Sequence, residues 1–393
     1  VNLLTLSLAG LRGGRITHVL NILILALGLG TVTLLLLFSG ALTDSLVRDG
    51  RGIDIVVGAK GSPLQLVLSA VYQADVPTGN IPLEAVETLR NDPMIAEAVP
   101  LALGDAVGRF RIVGTTPDYI GLYGAHLATG VLWQHPMQAV LGAEAAAHLH
   151  LAIGAQFIGA HGVAGNGMAH KEFPYTVVGI LAPTGGVIDR LALTEVESVW
   201  EIHAHPGEQS APREVTAVLL RARTPLALIT LAHRINTQTT WQAAVPSFEA
   251  ARLVSLLGFG VAAFRALAVI LIISAGLGML LALIARMRER RPEFAVLRLL
   301  GATRWQLFAT VLIEALVLAG VGAVAGLLLG HATAFALASL FSSGESLAVM
   351  SLHWQPSEWQ IPAAALAVGC LAAIIPAFAA YRNDVAASLG GGT

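Results

Sequence analysis

Nine of the twelve histidines fall between residues 126 and 233, and neutral imidazole is the commonest side-chain ligand of first-row transition metals. His148 and His150, like His203 and His205, are spaced i, i+2, which places each pair on one face only if the backbone is extended. His161 and His170 flank a glycine-rich segment at 160–170. These six residues are the candidate ligands for a Zn or Cu ion. The plainer reading is solvated surface histidines, since the spacing offers no i, i+4 histidine pair and no tight His/Asp/Glu triad.

Other chemistry is sparse. Glu314 is a carboxylate inside a long apolar stretch, where an unpaired charge costs several kcal/mol, of order 3 by insertion scales. It must face protein, water or a basic partner, and Arg304 or a neighbouring subunit is the expected one. The only lysines are Lys60 and Lys171, and no G-x-x-x-x-G-K-[ST] segment exists, so a phosphate-cradling loop is excluded. No nucleophile elbow with serine, histidine and acid appears, and no paired carboxylates stand out. The chain is not expected to be an enzyme.

What positions these residues is set by four stretches without Asp, Glu, Lys or Arg, at 16–43, 266–285, 315–344 and 359–381. A helix crossing a hydrocarbon core of about 30 Å needs about 20 apolar residues, and each stretch reaches that length. Mean hydropathy of +0.72 and a charged fraction of 12% agree with a membrane protein. Net charge is −2, and the charges are segregated in blocks, which gives no basis for nucleic-acid binding.

Arg12 and Arg15 precede the first span, Arg286, Arg288, Arg290, Arg291, Arg298 and Arg304 crowd the link between the second and third, and Arg382 follows the fourth. Short Arg-rich loops stay cytoplasmic. Both termini and residues 286–305 are therefore expected inside, and residues 44–255 and 342–358 outside. The first span is expected to be retained, because its apolar stretch is too long for a signal-peptide core and no clear cleavage site follows. Cys370 is the single cysteine, so no intrachain disulfide forms and the external domain relies on its own core.

The expected layout is an amphipathic segment at 1–15, spans at 16–43, 260–286, 305–341 and 359–381, and a large external α+β domain at 44–255. A cytoplasmic helix at 287–304, a short outer loop at 342–358 and a tail at 382–393 complete it. Gly28 and Gly30 mark places where another helix can approach the first span. In the external domain, strands are predicted at 53–57, 107–113, 175–181 and 215–221, and helices at 82–90, 143–150 and 226–238. Its length suits two lobes, divided near residue 100, with the chain returning to the first lobe after about 220.

The segment RMRERRPEFAVLRLLGATRWQLFATVLIEALVLAGVGAVAGLLLG, residues 286–330, resembles the permease signature of MacB/LolC/FtsX-type ABC transporters. The matching residues are Glu293, Ala295, Leu297, Arg298, Leu300, Gly301, Ala302, Glu314 and the glycines at 320, 322, 326 and 330. Three further stretches are similar to the family: AVLGAEAAAHLHLAIGAQF (139–157), YTVVGILAPTGGVIDRLALT (175–194) and PAFAAYRNDVAASL (376–389). In the last, Val385 stands where the family has proline.

The resemblance implies a MacB-like external domain inserted after the first of four spans, and a short cytoplasmic helix that meets a separate ABC ATPase. Glu293 and Arg298 would fix register there, and Phe294, Leu297, Leu300 and the stop at Gly301 would shape the docking surface. Without the resemblance, the same helix reads as a juxtamembrane segment binding anionic head groups. ATP and Mg would be held by two copies of that partner. The expected assembly is a homodimer or related heterodimer in a bacterial inner membrane, with a periplasmic or outer-membrane protein as a further partner. Its expected work is export or extraction of a periplasmic or membrane-derived substrate. The rivals are FtsX-like signalling to a cell-wall hydrolase and a metal- or haem-linked exporter.

Overall fold

The computed structural model describes residues 15–162, 167–203, 213–340 and 351–382. The expected amphipathic stretch before residue 15, most of the 342–358 loop, the tail after Arg382 and His205 lie outside the described residues. The chain forms two compact units, residues 1–42 with 257–393, and residues 43–256.

Along the chain come α1 (Arg15–Asp49), β1 (Ile55–Ala59), α2 (Pro63–Ala70), β2 (Ile81–Pro82), α3 (Glu84–Arg90), β3 (Ile95–Val107) and β4 (Phe110–Thr115). There follow α4 (Asp118–Leu122), β5 (Leu127–Gly130), β6 (Gln138–Leu141), α5 (Ala143–Leu149), β7 (Gln156–His161), β8 (Ala169–Leu181), β9 (Leu191–Glu195) and α6 (Val196–His203). The chain closes with β10 (Glu214–Val215), β11 (Ala217–Ala222), α7 (Pro225–Gln238), β12 (Trp241–Ala244), α8 (Pro246–Glu289), α9 (Arg291–Leu299), α10 (Arg304–Leu340) and α11 (Gln360–Tyr381).

The second unit is built on a ten-stranded sheet in the order β12-β1-β11-β3-β4-β9-β6-β8-β5, with β7 bridging β3 and β8. Alternation along β1 explains how it is buried: Val56 joins one core cluster while Ile55 and Val57 join another. Leu66, Val67 and Ala70 of α2 cover the first face. Ala85, Val86 and Leu89 of α3, with Leu231 and Ile235 of α7, cover the second. A strand buried on both faces reads as a continuous apolar run, as Ile55, Val56 and Val57 do. Ser62 caps α2 by accepting from the Gln65 backbone N–H at 3.3 Å, and Pro63 occupies the first turn, where no amide partner is needed.

Two sequence expectations change here. The predicted strand at 107–113 is two strands, because the chain reverses at Gly108, whose φ of +56° suits glycine, and β3 then pairs antiparallel with β4. The division expected near residue 100 falls inside β3. That strand pairs with β11 through its first half and with β4 and β7 through its second, so both sides of the sheet share it.

Among the described residues, four helices are long and apolar enough to cross a membrane. Each lies on one of the charge-free stretches. Small residues bring them together: a Cβ on Gly326 would stand 2.8 Å from the Leu29 Cβ, and one on Gly330 only 2.4 Å from the Thr33 Cβ. On α11, a Cβ on Gly369 would meet Ala319 at 2.8 Å. Such approaches allow van der Waals packing where lipid removes the usual hydrophobic drive. Large side chains such as Leu20, Ile270, Leu281, Leu328 and Ile375 stay exposed around the bundle, as lipid contact requires.

Candidate coupling helix and candidate metal centre

Arg290 ends the long helix α8 with non-helical backbone angles, and Pro292 restarts the chain as α9 within its first turn. The short helix has two faces. Phe294, only 1% exposed, and Ala295 are buried in the bundle core beside Met287 and Leu307, with Leu297 packed partly against it. The opposite side presents Glu293, Val296, Leu299 and Leu300 to the outside, Leu300 at 76% exposure. Phe294 is thus an anchor rather than part of an outward docking surface, and Leu297 is half-buried beside it. The apolar residues exposed beside Leu300 are Val296 and Leu299. Arg298 donates from Nη1 to the Ala302 carbonyl at 2.7 Å and closes the turn, while Gly301 supplies the positive φ of +95° that ends the helix.

Glu314 lies in α10, 3% exposed. It pairs with Arg286 in a short charged hydrogen bond, and Arg290 Nη1 stands 3.8 Å from its other oxygen. Arg290 also donates from Nε to Glu293 at 2.8 Å. The expected partner Arg304 is replaced by these two arginines, because the last turns of α8 reach the level of Glu314. A buried carboxylate flanked by two guanidinium groups is the compensated arrangement that burial of charge demands. A second polar pair escaped the sequence reading: His331 Nε2 lies 3.0 Å from the fully buried Glu358 carboxylate, and its Nδ1 lies 2.7 Å from the Ser351 carbonyl. A histidine inside an apolar stretch carries no local sign of a carboxylate 27 residues further on.

Among the described residues, the candidate histidines of the external domain separate into two groups. His148 sits in α5, 4.0 Å from Glu144, and His150 is the left-handed cap that ends the same helix, with φ of 53°. This pair is therefore helical and exposed, and the extended backbone that an i, i+2 site requires is absent there. His161, His170 and His203 come together around Asp105, which the sequence reading missed. One ligand atom from each of the four lies within 4.8 Å of every other.

Strand pairing builds this cluster. Asp105 on β3 stands directly opposite His161 on β7, and Ala160 opposite Ala169 brings His170 of β8 to the neighbouring position. His203 reaches in from the last turn of α6. Asp105 Oδ1 is 3.1 Å from His161 Nδ1, 3.5 Å from His170 Nε2 and 3.8 Å from His203 Nε2. The three rings have centroids 4.4, 5.0 and 5.6 Å apart.

Residues 19–238 match a family profile described as the MacB-like periplasmic core domain, and residues 265–383 match one described as the FtsX-like permease C-terminal. Among solved structures, the chain is similar to the periplasmic region of MacB from Actinobacillus actinomycetemcomitans at 11% identity. That alignment covers 53% of this chain and 97% of the other, with a TM-score of 0.35. It is also similar to the extracellular domain of the noncanonic ABC-type transporter YknZ from Gram-positive bacteria, at 11% identity, covering 48% and 98%, with a TM-score of 0.31. No curated protein matches the chain.

Proposed function

This chain belongs to the MacB/FtsX-type family of ABC transporter permeases, and from that premise we propose that it relays movement from a separate cytoplasmic ATPase to its external domain. ATP and Mg2+ belong to the ATPase, two copies of which serve two permease chains. The second chain is another copy or a close relative. The assembly sits in a bacterial inner membrane with both termini and the arginine-rich α8–α9 link inside. Its work is export or extraction of a periplasmic or membrane-derived substrate.

The observation that carries this reading is the two-faced helix α9. Its inner face is fixed by Phe294 and Ala295, and its outer face leaves Val296, Leu299 and Leu300 uncovered beside Glu293. An apolar stripe with a charge at its edge suits insertion into a partner's groove. Burying one leucine side chain stabilises such a contact by about 1.5–3 kcal/mol. The Arg286–Glu314 pair would then pass a push on α9 into α8 and α10, and α8 continues without a break from Pro246 to Glu289.

Affinity purification of the tagged chain from membranes of its native host tests the reading. A P-loop ATPase should copurify in about a one-to-one ratio, and Leu299→Glu with Leu300→Glu should reduce its recovery at least tenfold, for about 1.4 kcal/mol or more. Recovery of no ATPase with the unaltered chain, or undiminished recovery with the double variant, would contradict it.

A further inference from the structure

We propose that Asp105, His161, His170 and His203 form a binding site for a divalent transition-metal ion, Zn2+ in the first instance. The site is independent of the ATPase-coupling reading, and either can fail without the other.

The strongest observation is Asp105. Its side chain is 1% exposed, and among the described residues neither oxygen accepts a hydrogen bond, although three ring nitrogens stand within 4 Å. The buried Nε2 of His170 likewise lacks a hydrogen-bond partner among the described residues. A buried carboxylate without hydrogen bonds costs several kcal/mol, of the order of 2–7 for an uncompensated polar group and more for a charge. Nitrogens that crowd an oxygen without the angles of a hydrogen bond are placed as the ligands of a shared ion would be. Around one tetrahedral ion with bonds of about 2.0–2.1 Å, neighbouring ligand atoms lie about 3.4 Å apart. The three distances from Asp105, 3.1, 3.5 and 3.8 Å, bracket that value.

The ring that reaches furthest is also oriented. His203 Nδ1 lies 2.7 Å from the Val199 carbonyl one turn back in α6. Donating there fixes the neutral tautomer with Nε2 directed at the cluster, the support a metal-bound imidazole commonly receives. Exposure of 44% for His161 and 36% for His203 leaves the cluster open to solvent, so an ion can reach it.

Donor chemistry selects the ion. Three imidazoles and one carboxylate suit Zn2+, with Cu2+ as the competitor favoured by the Irving–Williams order. The absence of thiolate and thioether from the four ligands disfavours Cu+. Three nitrogens in four disfavour Mg2+ and Ca2+, which take oxygen. Because the ligands come from β3, β7, β8 and α6, occupancy would clamp the β7–β8 edge and the end of α6 to the central strand.

The test uses the full-length chain in detergent, stripped with chelator and titrated with ZnCl2 or CuCl2 against a chromophoric competitor. Elemental analysis after desalting should give one Zn2+ per chain. Asp105→Asn and His170→Ala should each weaken binding at least tenfold, and His148→Ala with His150→Ala should not. Zn2+ should also raise the unfolding temperature of the unaltered chain and leave that of Asp105→Asn unmoved, while circular dichroism of the stripped proteins shows equal folding. Binding of Cu2+ but not Zn2+ would overturn the zinc assignment. Zinc retained equally by the cluster variants, or absent from the unaltered chain at micromolar free metal, would overturn the site.

Discussion

Arg286 and Glu314 form a buried ion pair that ties the last turns of α8 to α10 across 28 residues of sequence. The chain between them breaks at Arg290, restarts as α9 and stops at Gly301. Arg290 extends the same network to Glu293 on α9. Charge thereby joins three helices that already share an apolar core through Met287, Phe294 and Leu307.

Glu314→Gln removes one charge and leaves Arg286 largely buried without its carboxylate. Breaking a buried pair from one side costs about 3–5 kcal/mol. The variant should unfold at a clearly lower temperature in detergent, and Arg286→Gln with Glu314→Gln together should recover part of the loss. Equal stability of the single variant and the unaltered chain would remove the pair from any structural role.

Arg111 makes a comparable anchor inside the external domain. It is 6% exposed and donates to the Ser69 carbonyl at 3.3 Å, the Gln73 side chain at 3.4 Å and the Asp75 carbonyl. Burial lowers its pKa from the usual range, an effect opposed by the charge of Asp75. Arg111→Met keeps much of the volume but leaves those acceptors unpaired, each at about 1–3 kcal/mol. Denaturant unfolding should show a loss of at least about 1 kcal/mol, the lower end of that range for a single acceptor, together with faster hydrogen exchange across 69–75.

Gly330→Leu tests the close approach of α1 and α10. Even the first carbon of a side chain would collide with Thr33. Overpacking of this kind costs about 1–3 kcal/mol. Reduced thermal stability is expected, whereas Gly320→Leu, where no neighbour lies within 4 Å, should be nearly neutral.

Alkaline pH should unfold the external domain through its buried phenols. Burial, aided by the charge of Asp49, pushes Tyr72 up to about 12, and burial raises Tyr119 and Tyr123 further above the ordinary value near 10. A raised folded-state pKa means that the stabilising contribution is complete below the unfolded value near 10. It is lost as pH rises from there through the folded value. Ultraviolet difference titration should therefore show these phenols ionising together with loss of circular dichroism. Ionisation near pH 10 with the fold intact would contradict their burial.

The four spans were legible because length and the absence of charge leave a helix little alternative in lipid. The arginine link and its proline restart were legible for the same local reason. Phe294 was not, because Phe294 with Leu297 and Val296 with Leu299 both repeat every three residues. Only the bundle decides which stripe turns inward. Asp105 was hidden more deeply. Its opposition to His161 depends on β3 pairing with β7 across 56 residues, and neither residue carries a local sign of the other. The 107–113 run misled for a related reason: β-branched residues on both sides of Gly108 read as one strand until the turn is seen.

Movement of the external domain driven by the ATPase is tested directly by distance measurement between spin labels. With Cys370→Ser as background, a label at Glu87→Cys, exposed on α3, reports the separation between the two copies in the assembled transporter. Trapping the ATPase with Mg2+, ATP and vanadate should shift that separation distribution relative to the nucleotide-free state, and Leu299→Glu with Leu300→Glu should abolish the shift. An unchanged distribution in a complex shown to hydrolyse ATP would contradict the account.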